Sequence, residues 1–346
     1  MHSAVAPVPT VQALPQPYLL FLGDVTDPGY AKTALGLRDW APERCIGEYA
    51  LAEATVSTGL PFLAPARARE AGARAMVIGI ANPGGRIPDR WLPSLLDALR
   101  AGLDLIGGMH ARLSGIEALR VVARDHGRRL IDVREPPAAL PVATGRRRGG
   151  RRLLTVGTDC ALGKKYTALA LARAFRERGV DVDFRATGQT GILIAGRGMP
   201  MDAVVADFAA GAAEALSPHA DAGHWDVIEG QGSLSHPAYA GVSLALLHGS
   251  QPDVIVACHA HGREHVLGLP GYPLPSLEET IELNLRLGAR TCPGIRCAGV
   301  SLNTSALDEP AAMRAIDELA QRLGLPVADP IRGGDEFDRL VEHCLA

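Results

Sequence analysis

Leu153-Leu154-Thr155-Val156-Gly157-Thr158-Asp159-Cys160-Ala161-Leu162-Gly163-Lys164-Lys165-Tyr166-Thr167 is the stretch on which the reading of this chain turns. Its first four residues predict a short buried strand, the glycine-bounded segment a loop, and the Ala/Leu-rich run over 164–178 a helix. A strand, a glycine loop and a helix opening on Gly-Lys form an anion cage. The glycines let successive backbone N–H groups converge, the helix N-terminus adds about half a positive charge, and the lysine closes the cage. The ordinary loop, GxxxxGK[ST], ends on a hydroxyl that holds Mg²⁺. Here five residues separate Gly157 from Gly163, and Lys165 stands where that hydroxyl would be. A second cation there neutralises phosphate charge directly, which suits phosphates that are gripped and not cleaved. Gly157, Thr158, Asp159, Gly163, Lys164, Lys165 and Tyr166 are therefore the expected phosphate-site residues. Composition sharpens this: among 35 Lys and Arg, only Lys32, Lys164 and Lys165 are lysine, so two of the three ammonium groups fall in this loop. A compact ammonium does there what a planar guanidinium does poorly.

Outward from the loop, short apolar runs alternate with helix-like stretches. Beyond the strand at 153–156 and its helix, strands are expected at 182–185, 225–228, 254–257 and 297–302, with helices at 202–216, 276–287 and 309–323. This is the pattern of a doubly wound parallel sheet with helices on both faces, whose ligand lies beyond the carboxyl ends of the strands. The N-terminal half repeats the grammar, with strands at 18–22, 75–80, 103–106 and 129–133 and helices at 88–101 and from an N-cap at Ser114 to about 126. That half suits a Rossmann-like fold, but it has no GxGxxG and so is not read as a dinucleotide site. Pro136-Pro137 and the arginine run Arg146-Arg147-Arg148-Gly149-Gly150-Arg151-Arg152 read as a solvated interdomain linker. The expected organisation is α/β: a Rossmann-like N-terminal domain over 1–140 and a P-loop NTPase-like domain over 141–346 that binds the nucleotide part of a cofactor.

Length and composition agree with two domains, since 346 residues with 47% hydrophobic and 21% charged content supply enough apolar surface for two cores. A net charge of −3 offers no global field for a polyanion, so neither nucleic acid nor a membrane surface is an expected partner. There is no run of 18 apolar residues, and the start from Met1 to Pro17 lacks a basic segment followed by an apolar one, which points to the cytoplasm. The six cysteines show no CxxC pair and read as reduced thiols, with neither a disulfide frame nor a metal site. Near-neutral charge with apolar richness suits a homo-oligomer.

The five-residue gap resembles that of dethiobiotin-synthetase-like P-loop proteins, and Glu229-Gly230-Gln231-Gly232 resembles their acidic-glycine turn. Asn303, closing Gly299-Val300-Ser301-Leu302, sits where that superfamily often recognises adenine. A more specific resemblance runs through nearly the whole chain. The segments Ala186-Thr187-Gly188-Gln189-Thr190-Gly191, Asp202-Ala203-Val204-Val205-Ala206-Asp207-Phe208, Glu229 through Tyr239 and Leu246-Leu247-His248-Gly249-Ser250 carry it in the C-terminal half. Gly79-Ile80-Ala81-Asn82-Pro83-Gly84-Gly85 and Gly102 through His110 carry it in the N-terminal half. These are similar to a bacterial family of P-loop proteins formerly of unknown function whose members include the D-glutamate N-acetyltransferases. The resemblance implies transfer of acetyl from acetyl-CoA to the amine of D-glutamate in D-amino-acid catabolism. Spacing and composition alone do not reach that substrate.

Such chemistry needs phosphates held intact, a proton acceptor for the substrate ammonium, donors for an oxyanion and cations for two carboxylates. Glu229 and His236 are the candidate bases, although Glu229 could equally brace its loop and His236 cap a helix. Gln189, Gln231 and Ser233 stand in glycine-rich turns at strand ends, suited to carboxylate or oxyanion hydrogen bonds or to satisfying turn backbone. Arg263, after the strand at 254–257, is the preferred carboxylate fork, and Lys32 and His110 follow strands of the N-terminal half. His259, His261 and His265 lack a completing thiol or carboxylate, so no metal is expected to be required. Two rival readings remain open: an ATP- and Mg²⁺-dependent ligase or kinase with Glu229 on the metal and Thr167 supplying the hydroxyl, and a nucleotide-sensing regulator without turnover.

Overall fold

The computed structural model of the chain describes residues 14–346; the first thirteen, on which most of the reading of the chain start rests, lie outside the described residues. The chain divides into two compact units, one made of 14–137 with Gly188–Ala203, the other of Ala138–Thr187 with Val204–Ala346. The 188–203 segment, expected in the P-loop half, thus packs with the N-terminal residues. Residues 202–216, expected as one helix, are accordingly a 3₁₀ turn at Met201–Ala203 and a separate helix from Ala206.

In the first unit the order is β1 (Tyr18–Gly23), α1 (Lys32–Trp40), β2 (Cys45–Ala50), α2 (Pro65–Glu70), β3 (Ala75–Ile78), α3 (Leu92–Arg100), β4 (Asp104–Gly107), α4 (Glu117–Asp125) and β5 (Leu130–Asp132). The five strands form one parallel sheet ordered β2-β1-β3-β4-β5. β1 lies inside the sheet between β2 and β3 and is buried along its whole length, as expected of an apolar run covered on both faces. α1, β2 and α2 were not legible as elements. β2 carries Gly47 and the buried acid Glu48, whose carboxylate accepts from the Ser57 hydroxyl and the Thr58 N–H, so its polar residue is satisfied inside the fold.

The second unit runs β6 (Arg151–Gly157), α5 (Lys164–Glu177) and β7 (Val182–Arg185); the chain then returns to the first unit for α6 (Gln189–Ala195), and the second unit continues with α7 (Ala206–Leu216), β8 (Trp225–Ile228), α8 (Ala240–Ser250), β9 (Val254–Ala260), α9 (Leu277–Gly288), β10 (Arg296–Asn303), α10 (Glu309–Leu323), β11 (Val327–Ala328) and α11 (Asp335–Leu345). Its six strands are parallel in the order β11-β10-β9-β6-β8-β7. α5 and α11 pack together on one face, while α7, α8 and α9 form a row on the other. Between the sheet and α5/α11, Leu153, Val227, Val254 and Val256 meet Leu171, Phe175, Leu340 and Val341, and Phe175 stands edge-on to Trp225 with ring centroids 5.3 Å apart. Each such side chain contributes about 1.5–3 kcal/mol on burial. α6 and α8 escape a periodicity search for a physical reason. QTGILIA is short and rich in β-branched residues, and AGVSLALLHGS is apolar around much of its circumference, so neither shows a helical stripe.

The arginine run is only partly a solvated linker. Arg146 is exposed, but the Arg148 guanidinium donates to the carbonyls of Ser217, Gly249 and Ser250, at the C-terminal ends of α7 and α8. Arg147 pairs with Asp253, and Arg152 is fully buried, donating to the Ser217 hydroxyl and to the carbonyls of Arg148, Gly149, Gly150 and Pro218. The reason is the helix dipole: carbonyls left unpaired at helix ends attract cations, and a guanidinium offers five N–H groups to satisfy them. Removing one partner of such a buried charged network strands the others. Arg152→Ala is expected to cost about 3–5 kcal/mol in denaturant unfolding and Arg146→Ala less than about 0.5 kcal/mol. Equal effects of the two would show that the run is solvated throughout.

Candidate functional site

β6 ends at Gly157 and delivers the chain into the loop. Thr158 is tied down at both ends, its N–H donating to the Cys258 carbonyl at 3.2 Å and its hydroxyl bonded to His259 Nδ1 at 2.9 Å. The loop turns through Ala161 and Gly163, whose φ angles of +50° and +104° place both in left-handed backbone, and α5 begins at Lys164. The positive φ at Gly163 is the reason that position favours glycine. The Lys164 side chain is buried, with Nζ donating to the Asp159 carbonyl at 2.6 Å. Burial lowers its pKa, against the pull of the Cys258 and Cys160 thiols and of the Asp159 and Glu229 carboxylates. Lys165 lies with Nζ 4.3 Å from the Tyr166 ring centroid, a cation–π contact that seats its ammonium at the first turn of α5.

Asp159 is fully buried and both oxygens of its carboxylate are engaged by protein donors. Oδ1 accepts from the Cys160 N–H at 2.6 Å, and Oδ2 accepts from the Leu267 N–H at 2.8 Å and from Arg263 Nη1 at 3.3 Å. Arg263 also donates to the Cys160 carbonyl at 2.9 Å. The guanidinium expected as a substrate fork therefore spends Nη1 on the loop, and the acid expected at the phosphates faces protein donors.

The acidic-glycine turn follows β8. Glu229 is buried, its Oε2 accepts from the Thr187 N–H at 2.9 Å, and its carbonyl accepts from the Thr187 hydroxyl at 2.7 Å. Gln231 Nε2 donates to that same hydroxyl at 3.0 Å. Gly230 N–H donates to Thr155 Oγ1 at 2.9 Å, and a Cβ at Gly230 would lie 1.7 Å from the Thr155 carbonyl, so only glycine lets the turn approach β6 this closely. Ser233 holds the turn backbone: its Oγ accepts from the Ser235 N–H and its carbonyl from the His236 N–H. His236 Nδ1 accepts from the Ala238 N–H at 3.1 Å, which places the proton of the neutral ring on Nε2, 3.8 Å from Asp159 Oδ1.

Asn303 ends β10 at a cavity of about 390 Å³ that begins at the loop itself, lined by Gly163 and Tyr166 and by Ser305, Asp329 and Arg332. The remaining expected residues stand in the first unit. A hydrogen bond of 3.1 Å between the hydroxyls of Thr33 and Thr190 joins the starts of α1 and α6, so their neighbours Lys32 and Gln189 open adjoining helices. Gln189 lies against the Gly108 backbone and His110 against Gly85.

Two groups of ligand-type side chains lie close enough to share an ion: Asp159, Cys160 and His236, and Asp183, His224 and Asp226. Sequence reading missed both. The first brings a P-loop thiol and acid to a histidine 76 positions away in sequence, but Asp159 is already taken up by three protein donors. The second is an ion-pair network with Arg185, which contacts both Asp183 and Asp226. His259 was legible only as part of a histidine cluster. Its pKa is lowered by burial and then by Arg263, His261 and Arg322.

These features define a two-unit α/β protein whose second unit carries a P-loop of the kind that grips phosphates. Residues 141–341 match the family model described as the C-terminal P-loop domain of a domain of unknown function, DUF1611, and residues 43–136 match its Rossmann-like N-terminal domain. A D-glutamate N-acetyltransferase of Pseudoalteromonas is 48% identical over 318 residues, covering 92% of this chain and 96% of the relative. One from Tritonibacter scottomollicae is 48% identical over 330 residues, covering 95% and 98%. The crystal structure of a DUF1611 family protein from Anabaena variabilis superposes with a TM-score of 0.86 at 36% identity, covering 95% of this chain and 99% of that one. The chain belongs to this family. Among the described residues no helix is long and apolar enough to cross a membrane.

The Gly230 geometry yields a test of the site's framework. Gly230→Ala forces the turn or the end of β6 to shift and is expected to cost about 1–3 kcal/mol and to weaken phosphate-ligand binding. Gly223→Ala, where nothing lies within 4 Å of the added Cβ, serves as the neutral control in the same unfolding and titration series.

Proposed function

We propose that this protein is a D-glutamate N-acetyltransferase in D-amino-acid catabolism and that its P-loop holds the pyrophosphate of acetyl-CoA. The observation that carries the reading is the state of the two positions at which a nucleotide-cleaving loop would hold Mg²⁺. Lys165 replaces the ordinary hydroxyl, and the Thr167 hydroxyl is engaged by the Gly163 carbonyl at 3.1 Å and by Ser301 at 2.7 Å. A loop so built favours retention of phosphates over their hydrolysis. The names of the relatives support the acetyl acceptor.

In this reading Gly157, Thr158, Gly163, Lys164, Lys165 and Tyr166 bind the donor, with Asn303 at the base. Asp159 and Arg263 act on the loop's shape. The D-glutamate amine attacks the acetyl carbonyl, the tetrahedral intermediate collapses with loss of the coenzyme A thiolate, and the proton shed by the amine passes to a base. Lys32, Gln189 and His110 offer donors for the acceptor's carboxylates, and Gln231 and Ser233 offer polar atoms near the phosphate loop. His236 Nδ1 accepts from the Ala238 N–H, which suits a turn brace, and the Glu229 carboxylate, which accepts from the Thr187 N–H, acts on the charge of Lys164.

A thiol-release assay over a panel of D- and L-amino acids tests the reaction: D-glutamate is expected to release coenzyme A from acetyl-CoA, and activity is expected to survive excess EDTA. A complete, Mg²⁺-reversible loss would favour the ligase reading. Lys164→Ala removes a charge-assisted contact worth about 1.5–3 kcal/mol and should weaken acetyl-CoA binding in calorimetric titration accordingly. Lys165→Thr should weaken it as well. Glu229→Gln is expected to lower turnover about 10²–10⁴-fold with donor binding little changed, while His236→Ala lowers stability and affinity together. The opposite pattern would make His236 the base.

A further inference from the structure

The cavity at the end of β10 contains a charged group that the reading so far leaves idle. Arg332 lines it, together with Gly163 and Tyr166 from the loop and its helix and Asn303 and Ser305 from the strand end. Its guanidinium is fixed from behind. Nε donates to the Thr304 hydroxyl at 2.7 Å, and Nη2 donates to the carbonyls of Thr304 and Leu307 at 3.2 and 2.6 Å. Nη1 has no hydrogen-bond partner among the described residues, and the side chain is 30% exposed. The other charge lining the cavity, Asp329, is turned into the fold. It is 5% exposed and accepts from the Thr304 N–H and hydroxyl and from the Ile331 N–H. Asp329 Oδ2 also stands 4.0 Å from Arg332 Nε, so the guanidinium is braced on its Nε side and Nη1 is the nitrogen left without a protein acceptor among the described residues.

The cavity is bordered by Gly163 and Tyr166 of the loop and by Asn303 and Ser305, so it has room beside the loop for the ribose of an adenine nucleotide whose pyrophosphate the loop holds. Coenzyme A differs from ADP and ATP there by a single group, a phosphate on the ribose 3′-oxygen. A guanidinium held by two of its nitrogens and open at the third is suited to charge-assisted hydrogen bonds with such a phosphate. We propose that Arg332 binds the 3′-phosphate of coenzyme A and is the residue by which this P-loop protein selects an acyl-CoA over other adenine nucleotides. The proposal rests on the reading that the loop holds the coenzyme A pyrophosphate.

The test is calorimetric titration of the wild type, Arg332→Ala and Arg332→Lys with coenzyme A and with 3′-dephospho-coenzyme A. The wild type is expected to prefer coenzyme A by about tenfold or more, as charge-assisted hydrogen bonds convert. In Arg332→Ala the ratio should fall close to one, with affinity for the dephospho ligand within about twofold of wild type; Arg332→Lys should keep an intermediate ratio. Because the ratio is read within one protein, loosening of the 304–307 loop cancels, and if the alanine variant fails to fold Arg332→Gln gives the same reading. Equal wild-type affinity for the two ligands, or an unchanged ratio in Arg332→Ala, overturns the proposal. Lys164→Ala separates this from failure of the underlying reading. If it leaves both ligands bound as tightly as before, the loop does not hold the pyrophosphate. If it weakens both while Arg332→Ala leaves the ratio intact, only the 3′-phosphate assignment falls.

Discussion

A buried ammonium at the start of a helix is the constraint around which the second unit is organised. Lys164 is removed from water at a point where the N-terminus of α5 already contributes positive potential, an arrangement that costs free energy unless anions or dipoles face it. The surroundings supply them: the Asp159 carbonyl takes the ammonium directly, and the Asp159 and Glu229 carboxylates act on it through space. Those acids must in turn be held. Asp159 is gripped by backbone N–H groups of Cys160 and Leu267 and by Arg263, and Glu229 by the N–H of Thr187. The loop, the acidic-glycine turn after β8 and the segment after β9 are thereby linked through one charge-balanced network at the carboxyl ends of three strands. A site preorganised in this way does not have to reorganise when an anionic ligand enters, which favours binding.

The same logic of matched charge operates at the opposite ends of the strands. Arg148 and Arg152 satisfy carbonyls at the ends of α7 and α8 and in the turn before β6, so the segment entering the P-loop strand is pinned by guanidinium groups. Lysine would serve poorly, since a point charge cannot donate in several fixed directions at once. Here Arg148 and Arg152 fasten backbone, while Lys164 and Lys165 bring compact charges to the P-loop.

The fold explains why several residues expected at the ligand also have partners within the protein. Residues at the ends of parallel strands face both the ligand and the neighbouring turns, and each polar atom there must find a partner. Arg263, Ser233 and His236 find theirs in the protein, through the Cys160 carbonyl, the Ser235 N–H and the Ala238 N–H respectively. Arg332, which no local pattern marks, leaves a nitrogen of its guanidinium without a protein acceptor among the described residues.

The parallel α/β class, the P-loop, its departure from the Mg²⁺-binding form and the bounds of β7, β8 and α10 could be read from the sequence. Each depends on contacts between residues near in sequence or on the periodicity of one element. The family resemblance added the acetyl acceptor, which no local physics supplies. Tertiary structure alone decided the rest. Packing moved residues 188–203 to the first unit and made helices of segments that show no helical stripe. It also brought Asp159 to Leu267, Glu229 to Thr187 and Arg332 to the cavity beside Gly163, pairings more than 40 positions apart. A sequence fixes which groups can donate, accept or carry charge. Which of them remain available to a ligand depends on partners that only the folded chain brings within hydrogen-bonding distance.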